Sequence, residues 1–331
     1  PARGSWGGDM SLARLFADGV PQPNRAVLKL ADEDVSWQDL AVGVKRRYAE
    51  LCDLGQQRVG LALTADLSGI STLVALEQLG CDVFLIDAQI ADARREAWVR
   101  QLQLKTTLPA DPPAGGQPRR VRDESESTGS VTILTSGTTG EPKAVRHSWQ
   151  SLARPVRIQQ AHTPPCWLLA YRPHLYAGLQ VIWQAMLNRG TLVAPPPDAE
   201  ASLIVDMMHS GGVDFASGTP SYWRRLLVSV DAVRLQQLSL RQITLGGEVV
   251  DQALLDRLRE LYPTARLAHI YATTELGRCF SVTDGRAGFP RSLLEQPSTD
   301  GVELQIREGE LWVRSANAMR EYDPRAMAPT R

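Results

Sequence analysis

Short apolar runs recur along this chain, each followed by a stretch with the three- and four-residue spacing of a helix. That alternation restricts the fold more than any other feature of the sequence. Residues 36–54 place Trp37, Leu40, Val44, Tyr48 and Leu51 on one helical face. Val59-Gly60-Leu61-Ala62-Leu63 then reads as a buried strand, Gly69–Leu79 as a helix and Val83-Phe84-Leu85-Ile86 as another buried strand. Such alternation marks βαβ units, whose strands form a parallel sheet covered by helices. Further strands are expected at 131–135, 166–170, 191–194, 213–217, 242–245 and 266–271, with helices after most of them. From Val302, apolar and polar residues alternate on both sides of Glu308-Gly309-Glu310, which predicts a hairpin with one solvated face. The expected architecture is α/β: two stacked α/β subdomains with mostly parallel sheets, then a small antiparallel β element. The subdomain divisions fall near 10–130, 131–285 and 286–323, inside a core of residues 10–331. Residues 1–9, which precede Met10, read as an expression or processing remnant.

Composition removes several function classes. With 36 basic and 37 acidic side chains the chain has no surplus of positive charge to neutralise phosphates, which argues against a general nucleic-acid binder. No apolar run reaches the ~18 residues of a membrane span; the longest candidate, Ser71 to Ala88, is broken by Glu77, Gln78 and Asp82. Cys52, Cys81, Cys166 and Cys279 are widely spaced, fitting buried thiols in a reducing cytoplasm better than a zinc knuckle or redox motif. Residues 109–130, rich in Pro and Gly and then in charge, read as a surface linker.

The chemistry concentrates in Val131-Thr-Ile-Leu-Thr135-Ser136-Gly137-Thr138-Thr139-Gly140-Glu141-Pro142-Lys143. A buried strand ends in six consecutive Gly, Ser or Thr residues, and a lysine follows closely. Small residues let backbone N–H groups approach a ligand, the hydroxyls add donors and Lys143 adds a point charge, a combination suited to a polyphosphate. The spacing is not that of a Walker A loop. The bland alternative is a flexible Gly/Thr turn, and the lysine argues against it: 32 of the basic residues are Arg and only four are Lys. Arg suits exposed forked pairing, whereas Lys is a compact charge on a flexible stem.

Thr135-Ser-Gly-Thr-Thr-Gly-Glu-Pro-Lys143 resembles the phosphate loop of the adenylate-forming superfamily: acyl- and aryl-CoA synthetases, peptide-synthetase adenylation domains and luciferases. Four more segments resemble family motifs in family order: Pro173-His174-Leu175-Tyr176-Ala177-Gly178, Leu245-Gly246-Gly247-Glu248, Tyr271-Ala272-Thr273-Thr274-Glu275 and Gly309-Glu310-Leu311-Trp312-Val313-Arg314. The likeness covers most of residues 25–323. It implies the large N-terminal domain of that family, with a small distorted β-barrel-like element, and ATP-dependent activation of a carboxylic acid. In that reaction the carboxylate attacks the α-phosphorus of MgATP, pyrophosphate leaves, and a thiol of coenzyme A or of a carrier protein's phosphopantetheine then displaces AMP.

By the same resemblance Thr135, Ser136, Gly137, Thr138, Thr139, Gly140 and Lys143 would hold the β- and γ-phosphates. Thr274 would bond the α-phosphate, Glu275 would help bind Mg²⁺, and Tyr271 would lie against adenine. Gly246, Gly247 and Glu248 would form the turn that meets substrate and adenine. His174, Tyr176, Gly178 and Ala272 would line the acid pocket, with His174 shaping it rather than acting as a base. Taken alone, Tyr271 reads equally well as a core aromatic, Glu275 as a charge near a helix start and His174 as a satisfied core residue. His147, His162, His209 and His269 receive no role.

Two substitutions and one absence depart from the family pattern. Ala272 stands where the family has Gly, which would crowd the pocket and favours a short, flat aryl or small acid over a fatty chain. Ala144 replaces a Gly after the loop lysine, at a strand position. Family members continue into a small C-terminal domain carrying a second lysine, and this sequence holds no lysine beyond Lys143. The chain is therefore expected to bind ATP and acid but to turn over slowly. The alternatives are a fatty-acyl-AMP ligase, a noncatalytic ATP- and acyl-binding module, and a small-molecule kinase.

Overall fold

A computed structural model describes residues 11–20, 22–108, 129–135, 143–158, 163–295, 302–315 and 318–323. In chain order the first elements are α1 (Leu12–Ala17), β1 (Ala26–Lys29), β2 (Asp34–Ser36), α2 (Trp37–Leu51), β3 (Arg58–Leu63), α3 (Leu67–Gln78), β4 (Asp82–Asp87), α4 (Asp92–Gln101) and β5 (Thr106–Leu108). Next come β6 (Ser130–Thr135), β7 (Lys143–Ser148), α5 (Trp149–Ala153), β8 (Cys166–Leu169), α6 (Tyr176–Leu187), β9 (Thr191–Val193), α7 (Ala201–Gly211), β10 (Phe215–Gly218) and α8 (Pro220–Ser229). The remainder are α9 (Ala232–Gln236), β11 (Gln242–Gly246), α10 (Gln252–Leu261), β12 (Arg266–Thr273), β13 (Gly277–Val282), β14 (Glu303–Arg307), β15 (Glu310–Arg314) and β16 (Glu321–Tyr322).

The strands form two large sheets. The eight-stranded sheet runs β13-β12-β11-β10-β8-β9-β1-β2, parallel from β12 to β1 and antiparallel at both edges. The six-stranded sheet runs β16-β7-β6-β4-β3-β5, parallel from β6 to β5, with β7 and β16 added antiparallel. One apolar core joins them, built from α2, α3 and α6 with Trp37, Leu73, Trp149 and Trp183 at its centre. A second core packs α7, α8 and α10 on the far face of the larger sheet.

The expected α/β architecture is present, but its boundaries are not sequential. β1 and β2 complete the eight-stranded sheet, while β6, β7 and β16 complete the six-stranded one. A division at residue 130 therefore separates neither sheet, because edge strands are recruited from distant parts of the chain. The element after residue 302 is a single hairpin, β14 with β15, and no barrel closes among the described residues. Two five-residue strands cannot close on themselves. Instead Val302 and Leu304 lean on Cys279, Phe280 and Val282. Glu308 and Gly309, both at positive φ (51° and 83°), make the two-residue turn whose twist suits a hairpin.

Local chemistry sets the other limits. Ser36 and Asp39 exchange side-chain and backbone hydrogen bonds and start α2. That helix stops at Leu51, and Cys52–Leu54 tighten into a 3₁₀ turn. α3 starts two residues before the expected Gly69, because Asp66 accepts from the Gly69 N–H at 2.8 Å. β10 starts at Phe215 rather than 213: Val213 N–H still bonds Met208 O, and the Asp214 carboxylate accepts from Cys166 N–H at 2.7 Å. All four cysteines are free, three of them buried. Most of the Pro- and Gly-rich segment, residues 109–128, lies outside the described residues. No helix among the described residues is long and apolar enough to cross a membrane.

Candidate active site

The carboxyl ends of parallel strands are where α/β sheets expose loops toward ligands. Most of the motif residues stand at those ends: Thr135 closes β6, His174 follows β8, Gly246 closes β11 with Gly247 and Glu248 after it, and Thr273 closes β12 with Thr274 and Glu275 after it. Ser136, Gly137, Thr138, Thr139 and Gly140 lie outside the described residues. The two ends of that loop, Thr135 and Lys143, are paired across β6 and β7.

Lys143 and Glu275 reach the same side chain. The Lys143 Nζ lies 5.5 Å from the centre of the Tyr322 ring, and the Tyr322 hydroxyl donates to Glu275 Oε1 at 3.3 Å. Burial and the Glu275 charge together push the Tyr322 phenol above its ordinary pKa. The backbone of Glu275 is held as well, its carbonyl accepting from Met319 N–H at 2.5 Å.

Thr274 is held from the opposite side of the chain's topology by His147, which is only 1% exposed. His147 Nε2 is 2.6 Å from Thr274 O, and Nδ1 is 3.2 Å from Ser151 Oγ. A carbonyl only accepts, so Nε2 carries the proton and Nδ1 faces the hydroxyl. Burial lowers the His147 pKa against the opposing pull of the Thr274 carbonyl and Glu275. The other face of the imidazole meets Tyr176, with ring centres 5.6 Å apart. His147 carries no motif of its own in the sequence; its one usable signal is its place on the strand that begins at the loop lysine.

Tyr271 is 41% exposed and stacks on Phe280, with ring centres 5.2 Å apart and planes inclined by 16°. One ring face is thus covered and the residue retains open surface. The register of β12 against β13 shifts between Tyr271 and Ala272.

Other motif residues have structural partners. Glu248 accepts from the Ser221 hydroxyl at 2.6 Å and the Ser221 N–H at 2.9 Å, contacts that lower its pKa and fix it at the start of α8. Gly246 O faces the Tyr171 hydroxyl at 3.4 Å, and burial pushes that phenol up to about 12. Gly247 is at φ +83°, a turn conformation that side chains disfavour. Gly178 lies where α6 crosses the backbone of Arg172: a Cβ there would stand 2.1 Å from Arg172 O. The structure thus gives Gly178 a packing task.

His174 and Tyr176, two residues apart, turn to different partners. Tyr176 is buried against His147, and burial raises its phenol pKa. His174 Nε2 stands 3.9 Å from Asp87 Oδ2 at the end of β4, beside Arg172, whose Nη1 bonds Gln89 Oε1 at 2.7 Å. Burial depresses the His174 pKa despite Asp87, with Arg172 acting in the same direction as burial. No group of three or more His, Cys, Asp or Glu among the described residues could hold a metal unaided.

Two sheets with parallel centres, with Thr135 and Lys143 paired where β6 ends and Thr274-Glu275 following β12, define the α/β class of this chain. Residues 59–323 match the AMP-binding enzyme family, and the chain belongs to that family. A 2-succinylbenzoate–CoA ligase of Lactococcus lactis subsp. lactis (strain IL1403) is 28% identical over 207 residues, spanning 58% of this chain and 43% of the relative. An L-allo-isoleucine:holo-(CmaA peptidyl-carrier protein) ligase of Pseudomonas savastanoi pv. glycinea is 28% identical over 282 residues, or 78% of this chain and 46% of that one. The chain thus spans less than half the length of these curated relatives. Among solved structures, the N-terminal subdomain of Klebsiella oxytoca NpsA, in complex with 3-hydroxyanthranilyl-AMSN, superposes with a TM-score of 0.75. It is 18% identical, covering 95% of this chain and 90% of that one.

Proposed function

We propose that this chain is the nucleotide- and acid-binding core of an AMP-forming acid–thiol ligase. Its substrates are ATP and a carboxylic acid, with an aryl or other small acid preferred and a thiol of coenzyme A or a carrier-protein phosphopantetheine as acceptor. The observation that carries the reading is the meeting of Lys143 and Glu275 on Tyr322, which joins the loop after β6 to the turn after β12. Relatives that use coenzyme A and relatives that use a carrier protein match this chain equally well in identity, so both acceptors stand.

The chemistry asked of the protein is chiefly alignment and charge compensation. Lys143 and the loop from Thr135 bind the outer phosphates, and Thr274 donates to the α-phosphate. Tyr271 offers its ring to adenine. Glu275 is a hard oxygen donor with one carboxylate, which fits Mg²⁺ completing its shell with phosphate oxygens and water. That ion, when bound, would offset charge on the phosphates as pyrophosphate departs. Tyr176 and Ala272 bound the acid site, and the Ala272 methyl shortens it in favour of a flat acid. The buried thiols suit a reducing cytoplasm.

Incubation of the chain with ATP, Mg²⁺ and a panel of aryl, short aliphatic, fatty and amino acids tests the reading. The expected products are pyrophosphate and the acyl adenylate, which releases AMP once a thiol is added, with aryl or short acids fastest and exchange of labelled pyrophosphate into ATP. Formation of ADP would identify phosphoryl transfer instead, and nucleotide binding without turnover on any acid would favour a noncatalytic module.

A further inference from the structure

The short strand β16 was invisible in the sequence, yet it is tied to the candidate site from three directions. Tyr322 and Glu321 pair with Val145 and Arg146 on β7, the strand that begins at Lys143. Arg320 N–H bonds Arg146 O at 2.9 Å and Asp323 N–H bonds Ala144 O at 2.8 Å. The Asp323 carboxylate, 3% exposed, is gripped by Arg58 Nη2 at 2.6 Å. Met319 N–H reaches the Glu275 carbonyl. Backbone bonds on both sides of Tyr322 and a buried ion pair next to it fix the backbone that carries the ring.

That ring is where two functional groups from distant segments converge. Its face lies under the Lys143 ammonium, within the ~6 Å at which a cation is attracted to an aromatic ring. Its hydroxyl bonds the Glu275 carboxylate. A lysine on a four-carbon stem and a glutamate on a turn each sample several rotamers, and both must be aligned before a triphosphate–metal complex can bind well.

We propose that Tyr322 is a positioning residue of the nucleotide site: its ring holds the Lys143 ammonium, and its hydroxyl orients the Glu275 carboxylate for a divalent cation. This rests on the AMP-forming reading, since it presumes that Lys143 meets phosphate and Glu275 meets the metal. The two halves of the side chain then serve different parts of one ligand. Tyr322→Phe keeps the ring and removes the hydroxyl, and Tyr322→Leu removes both.

Calorimetric titration of the 331-residue chain with MgATP, and with ATP in EDTA, separates these effects. Tyr322→Phe should weaken MgATP binding roughly tenfold, the scale of one hydrogen bond to a charged group, and leave metal-free ATP binding within about twofold of wild type. Tyr322→Leu should weaken both forms. A merely structural role would lower both affinities together in both variants and overturn the proposal. Unchanged or tighter MgATP binding in Tyr322→Phe would also overturn it, the latter showing that the hydroxyl competes with the metal. If the wild-type chain binds neither form of ATP, the AMP-forming reading fails and Tyr322 falls with it. If wild type binds MgATP and Tyr322→Phe binds it equally, only the Tyr322 assignment fails.

Discussion

His147 Nε2 and the Thr274 carbonyl stand 2.6 Å apart, a buried contact that links β7 to the turn after β12. This hydrogen bond is a direct link by which the loop-lysine strand can influence the Thr-Glu turn without touching ligand. Replacing His147 by Ala strands a buried carbonyl, at a cost of about 1–3 kcal/mol. MgATP affinity should fall about ten- to a hundredfold if that cost appears as misplacement of Thr274. His147→Gln offers an amide N–H to the same carbonyl and should recover most of the loss. Equal losses in the two variants, read by calorimetry, would show that the bond itself is unimportant.

The same residue sets a pH dependence of stability. Its folded pKa lies below the ordinary value because burial disfavours the imidazolium. In the unfolded chain the imidazole takes up a proton near pH ~6.5. Between that pH and the lower folded value the unfolded state binds more protons, so stability rises with pH there. The His147 contribution is therefore complete above pH ~6.5 and is lost as pH falls below it. Urea midpoints from pH 5 to 8 should show that loss in the wild-type chain and a shallower one in His147→Gln. Parallel profiles would assign the dependence to another group, such as His174.

Gly178 should tolerate no side chain. A Cβ 2.1 Å from the Arg172 carbonyl oxygen meets backbone, which cannot rotate aside. Gly178→Ala should therefore destabilise the fold by about 1–3 kcal/mol, the range for overpacking. Because α6 carries Tyr176 on the ring of His147, the shift should also change Tyr176 fluorescence or near-ultraviolet dichroism. A denaturant midpoint unchanged from wild type would contradict the close approach.

Tyr271 offers its accessible ring surface while Phe280 supports the other face. Tyr271→Ala should weaken ATP binding by about 1 kcal/mol, the scale of an aromatic stacking contact, and leave inorganic triphosphate binding unchanged. Tyr271→Phe should bind ATP nearly as wild type does. Loss of triphosphate binding in Tyr271→Ala would mean that the ring supports the phosphate side of the site instead.

The sheet strands around β3, β4, β6, β8, β11 and β12 were legible because each contains a short apolar run that is largely buried, a property its own residues display. β1, β2, β5, β13 and β16 were not. They are edge or near-edge strands of two to six residues, and their backbone bonds depend on which neighbour arrives beside them. β16 has two residues, too few for any periodicity. The hairpin was legible as well, since Glu308-Gly309 names its own turn. Among the described residues the barrel-like element is represented by this hairpin alone, because closure needs partners that the alternation of β14 and β15 does not specify.

The sequence by itself determined the α/β class, the Gly/Thr/Ser loop with its lysine and the Thr274-Glu275 pair, since each is written in consecutive residues. Only the tertiary structure decided who holds them: His147 beneath Thr274, Tyr322 between Lys143 and Glu275, and Asp87 beside His174. The reason is physical. A motif records what must touch a ligand, whereas a side chain that positions the motif needs only the right distance, and distance between remote segments is set by packing.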